Sequence, residues 1–203
     1  MTRIEVYADI VCPFTHVGLR RLRQAREARD SHTAVRVRAW PLELINGAPL
    51  AAEVVAREID GLRAQIAPEL FAGFDRDAFP STSLPAFGLA AAAYLVNDAI
   101  GEAVSFAVRD ALFEEGRDVA DPEVVHAIGC RFGITPLDDR AAEAAVRTDW
   151  ERGKARGVKG SPHFFVAGRD WFCPSLEIHH EHGRYDIDLD VERLHEFYAA
   201  AFH

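Results

Sequence analysis

Strand patterns near both ends of the chain enclose a long stretch without them, and this order limits the folds open to the sequence. Residues 3–8 (RIEVYA) and 34–44 (AVRVRAWPLEL) alternate polar and apolar side chains, as half-buried strands do. Residues 13–30 between them have helical character, so a parallel strand pair with a crossover helix is expected. Strand character returns at His163–Val166 and Trp171–Cys173, and a short helix follows. Early and late strands are therefore expected to form one α/β domain.

The middle of the chain, from about Leu50 to Trp150, has helical periodicity interrupted by loop signals. A block of that length has the size of a small domain. We therefore predict an α/β domain formed by residues 1–48 and 155–203, which carries an all-helical insertion at residues 49–154.

Composition excludes several classes of function. The formal net charge of -9 is the reverse of what a nucleic-acid binder needs. No apolar run approaches the roughly 20 residues that span a bilayer, and a strand pattern begins at once where a secretory signal would stand. Three cysteines, an odd and small number, argue against a disulfide framework and for a reducing compartment. A cytoplasmic protein is expected.

Cys12 is the first candidate for chemistry, because it stands where the first strand gives way to a helix that begins at Pro13. Free backbone N–H groups and the helix dipole stabilise a thiolate there, so its pKa is expected to fall. Asp9 opposes this effect if it lies close, and a protonated His16 assists it. The alternative is a small buried residue that closes the strand, since free cysteines are often buried.

Thr15 determines what a reactive Cys12 can do. In a dithiol site a second cysteine at this position attacks the mixed disulfide and releases the product, and threonine cannot. Its hydroxyl can hydrogen-bond the sulfur of Cys12 one helical turn away. Alternatively, Thr15 caps or packs in the first turn.

The segment GVKGSPHFFV, residues 157–166, is the second candidate. Pro162 directly precedes a strand, and the Ser161–Pro162 bond is either cis or trans. A cis bond would leave the backbone of Ser161 free to pair with an extended peptide or glutathione, like an added strand.

Together the two segments resemble a known family. A strand that ends in Asp-x-x-Cys-Pro-x-x, a long helical insertion and a Gly-Val-x-Gly-x-Pro-x-Phe-Phe-Val segment are similar to the DsbA-like branch of the thioredoxin superfamily. The nearest types are FrnE proteins, hydroxychromene-carboxylate isomerases and kappa-class glutathione transferases. The resemblance implies a thioredoxin fold with a helical insertion between its βαβ and ββα halves.

The resemblance also implies site roles. Cys12 would be the attacking thiol, Thr15 its neighbour in the catalytic turn and Pro162 the cis-proline. A peptide or glutathione groove would be formed by the remaining predicted site residues: Pro13, Phe14, His16, Ser161 and Pro162. No metal is predicted, and glutathione is a candidate cosubstrate. The expected partners are glutathione or a protein thiol. A homodimer is left open, and neither a nucleic acid nor a membrane is expected to bind.

Two departures from the family pattern bear on activity. Thr15 replaces the second cysteine of the oxidoreductases, while Cys12 replaces the serine that usually hydrogen-bonds glutathione sulfur in the transferases and isomerases. The segment FCPSLEIHHEHGRYDIDLD also replaces the short Gly-containing link that normally leads to the last helix.

The other cysteines and the histidines of that segment receive separate predictions. Cys130, in the apolar sequence HAIGCRFGI, is expected in the core. Cys173 is either a core residue or a distant resolving thiol for Cys12, which requires the two Cα atoms within about 7 Å. In the cluster at His179–His182, His180 and His182 would share one strand face. We expect these histidines to be solvated side chains rather than a metal site.

Three hypotheses follow. The leading one is a single-cysteine thiol–disulfide oxidoreductase that forms mixed disulfides through Cys12. The second is a glutathione-dependent isomerase or transferase, in which Cys12 and Thr15 orient the cosubstrate sulfur and the insertion supplies an apolar pocket. The third is a thioredoxin-like module that binds extended peptides without turnover. Monothiol glutaredoxins add the idea of a shared iron–sulfur cluster.

Overall fold

The structure, a computed structural model, describes residues 3–181 and 184–202. Its strands are β1 (Arg3–Ala8), β2 (Ala34–Ala39), β3 (His163–Val166), β4 (Arg169–Phe172), β5 (Leu176–Glu181) and β6 (Arg184–Leu189). Its α-helices are α1 (Pro13–Glu27), α2 (Leu42–Asn46), α3 (Ala52–Gln65), α4 (Leu84–Val96), α5 (Asp98–Phe113), α6 (Pro122–Phe132), α7 (Asp139–Ala155) and α8 (Val191–Ala201).

Four strands form the main sheet, in the order β2-β1-β3-β4. β1 and β2 run parallel, from Arg3 opposite Ala34 to Ala8 opposite Ala39, which confirms the predicted parallel pair. β3 returns antiparallel to β1, and β4 pairs antiparallel with β3. The late strands therefore complete the sheet that the early ones begin. The second strand ends at Ala39, near Pro41 as its sequence predicts, and α2 follows.

Helices cover both faces of this sheet. On one face, Ile4 and Val6 pack with Leu22 of α1 and Phe197 of α8. On the other face, Gly153 of α7 lies directly against the sheet, and a Cβ atom there would come within 2.4 Å of the Trp40 ring. Only glycine permits this approach, which brings the end of the helical segment onto the sheet.

The helices between β2 and β3 share a hydrophobic cluster with the sheet domain. The cluster includes Ile10 and Val17 from the first part of the chain, Ile59 and Phe113 from the helical segment, and Cys173 from the last part. One continuous core therefore crosses the predicted boundaries at residues 48/49 and 154/155, and the division into two domains stays a prediction. Within the described ranges no helix is long and apolar enough to cross a membrane.

The hairpin of β5 and β6 was not predicted as a pair of strands. It forms a separate two-stranded sheet and docks on α3. The side-chain amide of Gln65 accepts a hydrogen bond from the backbone N–H of Ile187 at 3.1 Å and donates one to the carbonyl of Tyr185 at 3.0 Å. This amide pairs with the edge of β6 as a neighbouring strand would.

The prediction for Cys130 is wrong, because its side chain is exposed. The buried face of α6 carries Val125, Ile128 and Gly129. Residue 130 follows the last of these by one position, which turns its side chain about 100° away from the core. Its Sγ lies 3.4 Å from Nε2 of His126 on the outer surface.

Candidate functional site

Cys12 lies at the start of α1, as the sequence predicts. It occupies the N-cap position with extended backbone angles (φ −85°, ψ 114°), and Pro13 begins the helix. The turn places its sulfur next to the loop before β3, because β1 and β3 are neighbours in the sheet. Cys12 Sγ donates a hydrogen bond to the carbonyl oxygen of Ser161 at 3.2 Å. The two segments singled out in the sequence, 149 residues apart, therefore meet at this sulfur.

Ser161 links three parts of the site. Its Oγ lies 2.8 Å from the Thr15 hydroxyl and accepts a hydrogen bond from the backbone N–H of Asp9 at 2.8 Å. The Ser161–Pro162 peptide bond is cis. The Pro162 ring packs near Gly18 of α1, 3.6 Å from the position a Cβ would take. The serine side chain thus closes the junction between the catalytic turn and the proline loop.

Thr15 contacts the sulfur as well as Ser161. The Thr15 hydroxyl and the Thr15 backbone N–H both hydrogen-bond Cys12 Sγ and act to lower its pKa. The expected contact one turn along the helix is therefore present. Thr15 is completely buried, so the hydroxyl has no competing water.

The expected fall in the Cys12 pKa is not observed. Burial of the thiol, only 3 % exposed, raises its pKa to about 11 and outweighs the hydrogen bonds from Thr15 and Ser161. Moving the thiolate charge out of water costs more free energy than the helix terminus supplies, so the neutral thiol predominates. In this arrangement Cys12 is a buried hydrogen-bond donor at neutral pH.

Asp9 is a buried carboxylic acid three residues before the cysteine. Burial raises its pKa to about 6, against hydrogen bonds from the backbone N–H groups of Leu42 and Val11 and the charge of Arg109. The Leu42 N–H lies 2.5 Å from Oδ2, and the Val11 N–H lies 3.2 Å from Oδ1. Asp9 therefore joins the turn at Val11 to the start of α2 at Leu42.

His16 has a different role from the predicted one. Its ring is buried, with Nε2 2.6 Å from Oε1 of Glu114, and burial lowers its pKa. The same carboxylate accepts hydrogen bonds from the backbone N–H groups of Phe71 and Ala72. Burial acts to raise the pKa of Glu114, but these partners hold it down at about 2. Nε2 of His16 is directed at Glu114, so the ring joins α1 to that carboxylate, and His16 is not among the groups that shift the pKa of Cys12.

Pro13 and Phe14 stand in the first turn of α1. Pro13 is buried, and Phe14 is half-buried against the cluster that includes Val17. Their role in binding glutathione stays a prediction.

Two functional candidates were missed in the sequence. Arg109 of α5 is fully buried and donates to the carbonyl oxygen of Asp9 at 3.0 Å. Glu58 of α3 has its pKa raised to about 7 by burial, and its charge raises the pKa of Cys12. No local signal identified them, because both stand on helices where Arg and Glu ordinarily face solvent.

The histidine cluster falls largely outside the described residues. His179 is exposed on β5, His182 is not described, and nothing is stated about the His180 side chain. Among described residues, no group of three or more His, Cys, Asp or Glu side chains is placed to hold a metal ion.

The raised pKa of Cys12 predicts a pH-dependent alkylation rate. Thiolate is the reacting form, so the rate of Cys12 modification by iodoacetamide should rise about tenfold per pH unit between roughly pH 7 and 10. Peptide mapping gives the rate at each cysteine, and exposed Cys130 is the internal reference for reagent access. A rate at Cys12 that levels off near neutral pH would show that the helix terminus, not burial, controls the thiol.

Several solved structures have a similar fold. The cytosolic disulfide reductase DsbM from Pseudomonas aeruginosa superposes with a TM-score of 0.59 at 18% identity, covering 97% of this chain and 95% of that one. DsbM has also been solved with GSH. A probable DsbA oxidoreductase from Streptomyces coelicolor gives 0.60 at 23% identity, covering 84% and 83%. A 2-hydroxychromene-2-carboxylate isomerase gives 0.56 at 17% identity, covering 83% and 87%.

These TM-scores show a shared fold, and the expected thioredoxin fold with its helical insertion is confirmed. The sequence matches no curated protein. The family model of the DSBA-like thioredoxin domain matches residues 3–181, which is most of the chain and includes both halves of the site. The chain therefore belongs to the DSBA-like thioredoxin domain family.

Proposed function

We propose that this protein is a cytoplasmic thiol–disulfide oxidoreductase with a single cysteine in its catalytic turn, Cys12, which forms mixed disulfides with glutathione or a protein thiol. The observation that carries the proposal is the contact between Cys12 Sγ and the Ser161 carbonyl, 3.2 Å apart, beside Pro162. A disulfide substrate paired with this loop would lie next to the sulfur. The small number of cysteines and the similarity to a cytosolic disulfide reductase support the location.

The proposed reaction is one thiol–disulfide exchange. The Cys12 thiolate attacks one sulfur of a disulfide, a new S–S bond forms, and the other sulfur leaves as a thiolate that takes up a proton. Thr15 supplies a hydroxyl and a backbone N–H to the developing thiolate. Because burial disfavours that thiolate, the reaction requires the sulfur to be uncovered or approached by the substrate.

The proline loop and the first turn of α1 would bind the substrate. Ser161 would pair through its backbone with an extended peptide or with glutathione, and Pro13, Phe14 and Pro162 would supply apolar contact. Glutathione is supported as a cosubstrate by the DsbM structure that contains GSH. His16 would act by anchoring α1 to Glu114 rather than by touching the ligand.

One observation favours a second candidate, a glutathione-dependent isomerase or transferase. A Cys12 thiol with a pKa of about 11 is a hydrogen-bond donor, the role of the serine in those relatives. Against it, the apolar cavity of about 430 Å³ in the helical segment is lined by residues of α4, α6, α7 and nearby loops, not by the Cys12 turn or the Ser161 loop. Isothermal titration with glutathione tests this candidate, since absent binding would exclude it.

A coupled assay tests the oxidoreductase proposal. The protein, glutathione and hydroxyethyl disulfide are mixed, and glutathione reductase with NADPH reports glutathione disulfide formation. We expect a rate proportional to protein concentration and unchanged in a Cys130→Ser variant, because Cys130 lies on the outer surface of α6. No rate above the protein-free reaction, in folded protein, would contradict the proposal.

A further inference from the structure

Cys173 lies beside the proline loop that holds Cys12. It follows β4, whose last residue Phe172 pairs with His163, and its backbone N–H donates to the Pro162 carbonyl at 3.0 Å. The Ser161 carbonyl, one residue earlier, accepts the hydrogen bond from Cys12 Sγ. The two cysteines therefore contact consecutive carbonyl groups of the same loop.

The backbone at Cys173 has a conformation that favours glycine. Its φ of +44° lies in the left-handed region, which residues with a Cβ rarely adopt. The side chain is buried in the cluster that contains Val11 and Val17, the residues that flank the Cys12 turn.

The two sulfurs are also coupled through their charges. After burial, the strongest influence on the Cys173 thiol is the charge of Cys12, and together they raise its pKa to about 12. The effect of Cys12 on this pKa is larger than the opposing effect of either Arg193 or Arg21 alone. Charge interactions weaken with distance, so the coupling agrees with two thiols on adjoining parts of one loop.

We propose that Cys173 is the resolving thiol of this site. The proposal rests on the proposed function, because it needs a mixed disulfide on Cys12. The Cys173 sulfur attacks the Cys12 sulfur of that disulfide, the Cys12–Cys173 bond forms, and the bond from Cys12 to the substrate sulfur breaks. The proton of Cys173 goes to the departing thiolate. The substrate disulfide gains two electrons and leaves as two thiols, while the two cysteines are oxidised to one disulfide.

This geometry differs from that of a dithiol turn. In such a turn the second sulfur stands three residues along the same helix, where this chain has Thr15. Here the second sulfur comes from the end of β4, across the Ser161–Pro162 loop. The site would then carry a complete two-electron couple despite its single cysteine in the turn.

The aromatic disulfide of Ellman's reagent tests the proposal, because each attack releases a coloured thiolate. In a Cys130→Ser background, the protein should release two equivalents, retain no adduct and yield a Cys12–Cys173 cross-linked peptide. The Cys173→Ala and Cys173→Ser variants should release one equivalent and keep the adduct on Cys12. Circular dichroism identifies which variant is folded, and Cys12→Ser measures any direct reaction of Cys173.

The outcomes separate the two proposals. If the Cys130→Ser protein and its Cys173 variants all retain one adduct on Cys12, Cys173 does not resolve it, while the proposed function stands. If Cys12 remains unmodified in every folded variant, the mixed disulfide does not form and both proposals fail. Adducts on both sulfurs, without a cross-link, also overturn the resolving role.

Discussion

Replacement of Cys12 by serine is expected to lower the rate of thiol–disulfide exchange by a factor on the order of 10³ or more, to the level of the uncatalysed reaction. A hydroxyl oxygen cannot form a mixed disulfide, so the first step has no nucleophile. Serine can keep the hydrogen bond to the Ser161 carbonyl, which Cys12 Sγ makes at 3.2 Å. The fold and the groove should therefore survive, and only the chemistry should be lost.

The coupled glutathione assay and thermal unfolding of both proteins measure this prediction. Cys130→Ser is the matched control, since it removes the exposed thiol and should leave the rate unchanged. Full exchange activity in folded Cys12→Ser protein would contradict the role of Cys12. Lost exchange together with retained glutathione-dependent isomerisation would favour the second candidate function.

Replacement of Arg109 by alanine is expected to lower the free energy of unfolding by about 3–5 kcal/mol. Its guanidinium is fully buried and donates to the Asp9 carbonyl, the Ser105 carbonyl and the Ser105 hydroxyl. Truncation leaves these acceptors without a donor and removes the cation that offsets the buried Asp9 carboxylate. Because Asp9 directly precedes the catalytic turn, the Cys12 position should loosen as well.

The loss should depend on pH. The pKa of Asp9, raised to about 6 when folded from an ordinary value of 3.8, means that the folded state favours the protonated acid. Stability from this group is complete below its unfolded pKa and is lost as the pH rises through its folded pKa. Without Arg109 the folded pKa rises further, so the deficit should be greater at roughly pH 8 than at roughly pH 5.

Urea unfolding at both pH values measures the effect. Arg147→Ala is the control, because Arg147 forms an exposed pair with Glu143 on one helix, worth about 0.3–0.5 kcal/mol. A loss for Arg109→Ala no larger than that of the control would show that the buried cation does not hold the turn.

The sheet and the two halves of the site could be predicted because their signals are local. Alternation identified β1, and aromatic and β-branched residues identified β3. A cysteine before a helix and a Ser-Pro loop identified what those strands place together. The hairpin of β5 and β6 was missed, although Tyr185, Ile187 and Leu189 alternate with polar residues as in a half-buried strand. Its docking depends on the Gln65 amide of a distant helix, a contact that no local pattern indicates.

Electrostatics at the site could not be predicted from neighbouring residues. The position of Cys12 at a helix start indicates a lowered pKa, but burial by residues far along the chain reverses the direction. The role of Arg109 could not be predicted for the same reason, because its contact with Asp9 joins residues 100 positions apart. For Cys130 the local pattern misled, because a one-residue difference in helical phase separates core from surface.

The central claim is that Cys12 forms a mixed disulfide at the Ser161–Pro162 loop. It is tested most directly in a Cys130→Ser, Cys173→Ala protein, whose single remaining cysteine is Cys12. After treatment with glutathione disulfide, intact mass and peptide mapping give the extent and site of modification. We predict one glutathione on Cys12, removable by a reductant. Folded protein that stays unmodified, while its urea-unfolded form is modified, would contradict the claim.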